Sequence, residues 1–157
     1  MDFDIKSSMI QICNGLRHIH NNGFIHRDIK PKNILYKEDT VFIADLGSAC
    51  RLPLSYKGYA TTRWYRAPEM VMRKPYDYKV DIWSLGCLFY FLLKKEHLFK
   101  FSSEVEYKRN FESLKRFEYL EDADFDENEL DLLKGMLEFD PDKRMDIPDI
   151  IFHPYFS

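Results

Sequence analysis

The chain has 157 residues, enough for one domain with a buried core. A net charge of −3 gives no basic footprint for nucleic acid or for an anionic membrane surface, and neither is expected as a partner. Cys13, Cys50 and Cys87 form no C-x-x-C pair, which argues against a zinc site or disulfide framework and for reduced thiols in an intracellular setting, cytoplasm or nucleus. Asp2 and Asp4 contradict the positive start of a signal peptide. The longest apolar run, residues 85–93, is about half of the roughly 20 residues a membrane span needs.

Taken in chain order, Ile5, Met9, Ile12, Leu16 and Ile19 recur at steps of three and four, one face of an amphipathic helix. Asn21-Asn22-Gly23 supplies its stop. Two short β-prone runs, 34–36 and 41–44, flank Lys37-Glu38-Asp39-Thr40 and predict a small hairpin. Residues 47–65 lack sustained periodicity and read as a long loop, which in a compact domain is usually functional. Pro75-Tyr76-Asp77 marks the next helix start, and residues 80–93 are apolar nearly all round, the mark of a buried central helix. Residues 105–120 predict a more polar helix. Asp126 followed by Glu129 has the form of a capping box before Leu130, Leu133, Met136 and Leu137. Asp146 caps a last short helix with Pro148 in its first turn, ended by His153-Pro154. With Phe and Tyr abundant, bulky rings are expected to fill much of the core. His18, His20 and His97 show no partner pattern and read as surface or packing residues. The fold class is mainly α, one domain over residues 1–157, with a short hairpin beside the loops.

The segment Phe24-Ile25-His26-Arg27-Asp28-Ile29-Lys30-Pro31-Lys32-Asn33 packs an acid, cations and an amide into one turn. Phosphoryl transfer from ATP needs charge neutralisation and alignment more than covalent chemistry. Mg²⁺ prefers oxygen ligands, and Asn33 with Asp45 offers an amide and a carboxylate. Asp28 suits a group that orients or deprotonates a substrate hydroxyl. Alternation along an extended loop would put Lys30 on the same side, where its charge meets the transferring phosphoryl group.

With Asp45-Leu46-Gly47 and Ala67-Pro68-Glu69 downstream, the chain resembles the C-terminal lobe of a eukaryotic Ser/Thr protein kinase. The resemblance implies ATP and Mg²⁺ as cofactors, protein Ser/Thr hydroxyls as substrate, and a helical lobe with its hairpin at the catalytic and metal-binding loops. It implies Asp28 as catalytic base, Lys30 as phosphate contact, Asn33 and Asp45 as metal ligands, and Leu35 as the lower face of the adenine pocket. His26 and Leu46 would join an internal apolar spine, and Thr62 would bond Asp28 and Lys30. Glu69 would pair with Arg144, Asp81 of Asp81-Ile82-Trp83-Ser84-Leu85-Gly86 would hold the catalytic-loop backbone, and Arg27 would be a regulatory or structural residue. Residues 62–69, Thr-Arg-Trp-Tyr-Arg-Ala-Pro-Glu, are similar to the group of cyclin-dependent, MAP and glycogen synthase kinases. There Arg66 shapes a preference for proline after the phosphorylated residue. Tyr59 aligns with an activation-segment tyrosine whose phosphate Arg63 and Arg66 could meet, while Lys57 stands where MAP kinases carry threonine. The stretch between residues 120 and 126 is short and lacks that group's usual insert.

The glycines 15, 23, 47, 58, 86 and 135 contain no G-x-G-x-x-G, and no Val-Ala-Ile-Lys strand occurs. The expectation is therefore a C-terminal lobe alone, a truncated kinase domain. Its alternatives are a catalytically silent module that binds a kinase N-terminal lobe or regulatory protein, and a fragment of a longer kinase. An apolar surface near Leu35, Leu46 and the first helix would then be exposed.

Overall fold

The computed structural model describes residues 4–52, 62–121 and 123–157. Helix α1 spans Ile5–Asn21 and is capped by Asp4, whose side chain accepts the Ser7 amide. Its apolar stripe (Met9, Ile12, Cys13 and Leu16) is fully buried. Gly23, at φ 78°, turns the chain into the two-residue strand β1, Phe24–Ile25. Strands β2 (Ile34–Lys37) and β3 (Thr40–Ile43) form the expected hairpin, in register Ile34↔Ile43, Leu35↔Phe42, Tyr36↔Val41 and Lys37↔Thr40. Period-two alternation turns Ile34, Val41 and Ile43 toward the core. Ile43 lies against α1, where a Cβ on Gly15 would come within 3.1 Å of it.

The stretch read as a continuous loop after Gly47 holds a second pairing. Strand β4, Cys50–Arg51, runs antiparallel to β1, with Ile25 opposite Cys50 and Phe24 opposite Arg51. Two residues per strand are too few to give a periodic signal. Lys57 and Tyr59 lie outside the described residues.

Helix α2 (Pro68–Val71) leads to the central helix α3, Lys79–Lys94. The helix begins after Pro75-Tyr76-Asp77 because the Asp77 carboxylate accepts the Lys79 amide at 2.8 Å. Burial runs around α3 from Lys79 through Tyr90, as its all-round apolarity requires. Its Gly86 permits close approach: a Cβ there would sit 2.8 Å from Leu137 Cγ.

The single helix expected over 105–120 is corrected. The segment is helix α4 (Glu104–Arg109), helix α5 (Phe111–Lys115) and a 3₁₀ turn over Glu118–Leu120. Asn110 makes the break. Its side-chain amide donates to the Glu106 carbonyl at 2.8 Å, competing with the helical ladder. Phe117, at φ 58°, ends the second piece. Helix α6 (Glu127–Met136) carries the full capping box, with Asp126 and Glu129 each bonded to the other's backbone. Helix α7 (Ile147–Ile151) starts at Asp146 with Pro148 in its first turn and a reciprocal bond from the Asp146 amide to Asp149.

Candidate active site

The site is assembled where the loop between β1 and β2, the start of the segment after β3, and the N-terminal turn of α3 converge. Asp81, in that turn, is fully buried. Its carboxylate accepts the backbone N–H of His26 and of Arg27, each at 2.9 Å, and lies 2.8 Å from His20 Nε2. The helix N-terminus adds favourable field to this buried charge. Held this way, Arg27 adopts φ 67°, a left-handed conformation that a non-glycine residue keeps only when its surroundings over-determine it. The Arg27 guanidinium donates to the Ser48 carbonyl at 2.6 Å and to Tyr76 Oη at 3.1 Å, tying the loop to the segment after β3.

His26 is fully buried and uses both ring nitrogens. Nδ1 accepts the Asp28 amide at 3.1 Å, so Nε2 carries the proton and donates to the Ala44 carbonyl at 2.9 Å. That imidazole is a rivet between the loop and the end of β3. The Ala44 amide donates in turn to the Asn33 carbonyl at 2.8 Å, which brings Asn33 and Asp45 to the same end of the hairpin.

Asp28 is 7% exposed. Its Oδ2 accepts from Asn33 Nδ2 at 3.0 Å and from Lys30 Nζ at 3.1 Å. Its Oδ1 is buried and has no hydrogen-bond partner among the described residues. Carboxylate oxygens are rarely left so unless they face a ligand or water. Asn33 Nδ2 also donates to the Asp28 carbonyl at 2.8 Å. With the amide nitrogen committed, Asn33 Oδ1 remains the group to offer a cation. Asp45, at φ 59°, spends Oδ1 on the Gly47 amide at 3.0 Å and is solvent-exposed. An amide oxygen and a carboxylate at one hairpin end fit hard Mg²⁺, which takes oxygen ligands and keeps several waters of its own. Among the described residues no cluster of three or more His, Cys, Asp or Glu forms an all-protein metal cage.

Lys30 Nζ donates to Thr62 Oγ1 at 2.8 Å, which bridges the loop to the segment before α2. Arg63 donates to the Ser102 carbonyl, and Arg66 NH1 lies 3.9 Å from Glu104 Oε1. Both arginines thus face the start of α4. Glu69 and Arg144 form a bidentate pair at 2.7 and 3.0 Å, with 3% and 0% side-chain exposure, and Arg144 also caps the Lys79 and Glu138 carbonyls. Leu35 is 53% exposed and Leu46 61% exposed. Leu46 is therefore not buried with His26 among the described residues; it lines a surface hollow with Ile19, Phe24 and Ala49.

Three participants escaped the sequence reading. His20 and His97 read as surface or packing residues and do pack on aromatic rings, but His20 also reaches Asp81 across 61 residues and His97 Nδ1 lies 2.8 Å from Tyr65 Oη. Tyr76 holds Arg27. No periodicity marks them, since each acts through a contact far along the chain.

Residues 2–156 match the protein kinase domain family. The chain is 36% identical to human "MAPK/MAK/MRK overlapping kinase", the alignment covering 98% of the chain and 43% of that protein. It is 35% identical to "Mitogen-activated protein kinase hog1" of Blastobotrys adeninivorans, covering 98% and 46%. To "Cyclin-dependent kinase B2-2" of Arabidopsis thaliana it is 36% identical, covering 98% and 58%. The chain spans about half the length of these relatives. The alignment with the human protein runs over 183 positions, so that protein carries residues with no counterpart among these 157. Together the match over nearly the whole chain and the clamped loop from His26 to Asn33 place this chain in the protein kinase family.

Proposed function

We propose that this chain is the C-terminal lobe of a protein Ser/Thr kinase and carries the groups for ATP- and Mg²⁺-dependent phosphorylation of protein hydroxyls. The observation that carries this reading is Asp28: a buried carboxylate with one oxygen held by Asn33 and Lys30 and the other without a partner among the described residues. Asp28 Oδ1 accepts the hydrogen bond of the substrate hydroxyl and takes its proton as the hydroxyl oxygen bonds to the γ-phosphorus and the bond to the β–γ bridging oxygen breaks. Lys30 stays beside Asp28 to meet the charge of the phosphoryl oxygens. Asn33 and Asp45 would hold Mg²⁺, which supplies charge neutralisation on the phosphates. Leu35 would lie under the base. The match to mitogen-activated and cyclin-dependent kinases supports a preference for proline after the target residue, with Arg66 as its determinant, and a regulatory phosphate on Tyr59 that Arg63 and Arg66 would meet. Glu69, Arg144, Asp81, Arg27 and Thr62 hold this arrangement in place.

The buried cysteines Cys13, Cys50 and Cys87, which form no disulfide, support a reducing compartment, cytoplasm or nucleus, and no helix among the described residues is long and apolar enough to cross a membrane. The test is phosphate incorporation into a protein substrate with a kinase N-terminal lobe supplied in trans or fused upstream. Incorporation that falls at least about a hundredfold in Asp28→Asn is the expected result. Equal incorporation by both proteins would remove Asp28 from the reaction. The second reading, an interaction module that docks an N-terminal lobe or a regulator, is favoured by the half-exposed Leu35 and Leu46. Failure of the isolated chain to bind ATP at millimolar concentration would favour it.

A further inference from the structure

Where the end of α1 meets the starts of α3 and α7, the fold leaves a cavity that the phosphoryl-transfer site does not use. It holds about 330 Å³, and its lining includes Arg17 and His20 of α1, Tyr78 just before α3, Asp146, and Ile147 with Pro148 of α7. That volume lies at the small end of the about 300–1,000 Å³ found for small-molecule sites. Two rings form one wall: the His20 and Tyr78 centroids are 5.4 Å apart, the planes tilted by 49°. Ile147 and Pro148 add apolar surface. The charges around the cavity do not cancel. Asp146 Oδ1 is already committed, accepting from Tyr78 Oη at 3.1 Å and lying 2.9 Å from Lys79 Nζ. Arg17 donates only to the neutral Asn14 side chain, at 3.0 Å, and has no ion pair among the described residues. A guanidinium without an acid, set beside an aromatic wall, matches a ligand with a carboxylate on a flat ring.

The same cavity reaches the anchor of the loop that carries Asp28. His20 Nε2 lies 2.8 Å from Asp81 Oδ2, the oxygen that also accepts the His26 amide. An ionised Asp81 only accepts, so His20 donates from Nε2. One imidazole thus serves both as cavity wall and as support of the loop anchor. We propose that this cavity binds a small aromatic carboxylate, its ring on His20, Tyr78 and Pro148 and its carboxylate on Arg17, and that occupancy steadies the Asp81 anchor through His20. The site is separate from the hairpin end, and its occupancy is read without phosphoryl transfer.

The test uses the 157-residue chain and saturation-transfer NMR with three probes: benzoate, benzyl alcohol (the ring without the charge) and acetate (the charge without the ring). Benzoate binds at least about fivefold more tightly than either control, and Arg17→Gln removes that advantage while leaving benzyl alcohol unchanged. Lys108→Gln, which removes an exposed cation on α4 away from the cavity, leaves benzoate binding as it was. Saturating benzoate slows hydrogen exchange of the His26 and Arg27 amides by at least about threefold in the unsubstituted chain and not in Arg17→Gln. No benzoate binding, or binding unchanged in Arg17→Gln, would overturn the site. Equal losses in Arg17→Gln and Lys108→Gln would show diffuse attraction to a cationic surface and overturn it as well. Benzoate binding that leaves the His26 and Arg27 amides unchanged would overturn the link to the loop.

Discussion

Asp81 and Arg27 are joined by a 2.9 Å hydrogen bond from the Arg27 amide to a fully buried carboxylate, across 54 residues of sequence. The same carboxylate takes the His26 amide and lies against His20. The central helix is thereby the reference frame for the loop that carries Asp28. The left-handed backbone at Arg27 depends on that anchor, because nothing local to the loop favours it.

Asp81→Asn keeps the shape but replaces one accepting oxygen by a donor and removes the charge. Hydrogen bonds to charged groups contribute about 1.5–3 kcal/mol each, so the variant is expected to lose about 2–4 kcal/mol in urea unfolding. The local signature is faster hydrogen exchange at the His26 and Arg27 amides, ahead of any change in α6. Unaltered protection of those two amides would show that the loop holds its form without the anchor.

Glu69 and Arg144 are a desolvated pair, and removing one partner leaves the other charge buried. Glu69→Gln is expected to cost about 3–5 kcal/mol. Arg144→Met alone is expected to cost a similar amount. The double variant Glu69→Leu with Arg144→Met is expected to recover much of the loss, since an apolar pair has no charge to strand. Stability losses that simply add in the double variant would mean that Arg144 acts through its bonds to the Lys79 and Glu138 carbonyls rather than through Glu69.

How much of this was legible beforehand depends on whether an element announces itself locally. The hairpin did, because two β-prone runs flank the polar turn Lys37-Glu38-Asp39-Thr40, although burial alternates only along β3. The central helix did, because residues 80–93 are apolar on every side, and the cap at Asp126 did through its spacing to Glu129. The two-residue pairing of β1 with β4 left no periodic trace. The break at Asn110 was hidden because its neighbours keep a helical pattern and only its side chain's bond to Glu106 decides the outcome. At the site, Asp28, Lys30, Asn33 and Asp45 stood out as residue types suited to phosphate chemistry. His20 did not, since a histidine on a helix says nothing about a carboxylate 61 residues away until the fold brings them together.

The buried thiols give a pH dependence with a defined sign. Burial pushes Cys13 up from about 9 to about 12, and burial moves Cys87 in the same direction. The folded state thus favours the neutral thiol more than the unfolded chain does. That contribution is fully present below pH 9 and is lost as pH rises from about 9 toward 12, where the unfolded thiols ionise first. The urea midpoint is expected to fall between pH 8.5 and 10.5, with a shallower fall in Cys13→Val. At pH 8 the folded protein should protect both thiols from a thiol-specific reagent, and ready labelling of Cys13 and Cys87 without denaturant would contradict the burial argument.

The last expectation concerns the face the fold leaves open. Phe24, Leu35, Phe42 and Leu46 are 38%, 53%, 50% and 61% exposed. Phe24 and Leu46 also line a cavity of about 320 Å³ with His18, Ile19, Asn22 and Ala49. Apolar side chains grouped at one end of a domain are unusual on a monomer and mark a surface that pairs with something. With no other lobe present, the isolated chain is expected to self-associate in a concentration-dependent way and to bind an apolar dye. Leu46→Ser is expected to reduce both effects while changing unfolding stability by no more than about 0.5 kcal/mol, because a mostly exposed leucine contributes little to the core. Sedimentation velocity with and without the substitution separates the cases. Association that persists in Leu46→Ser would move the interface elsewhere, and a monodisperse chain that binds no dye would mean that this face is stable in water.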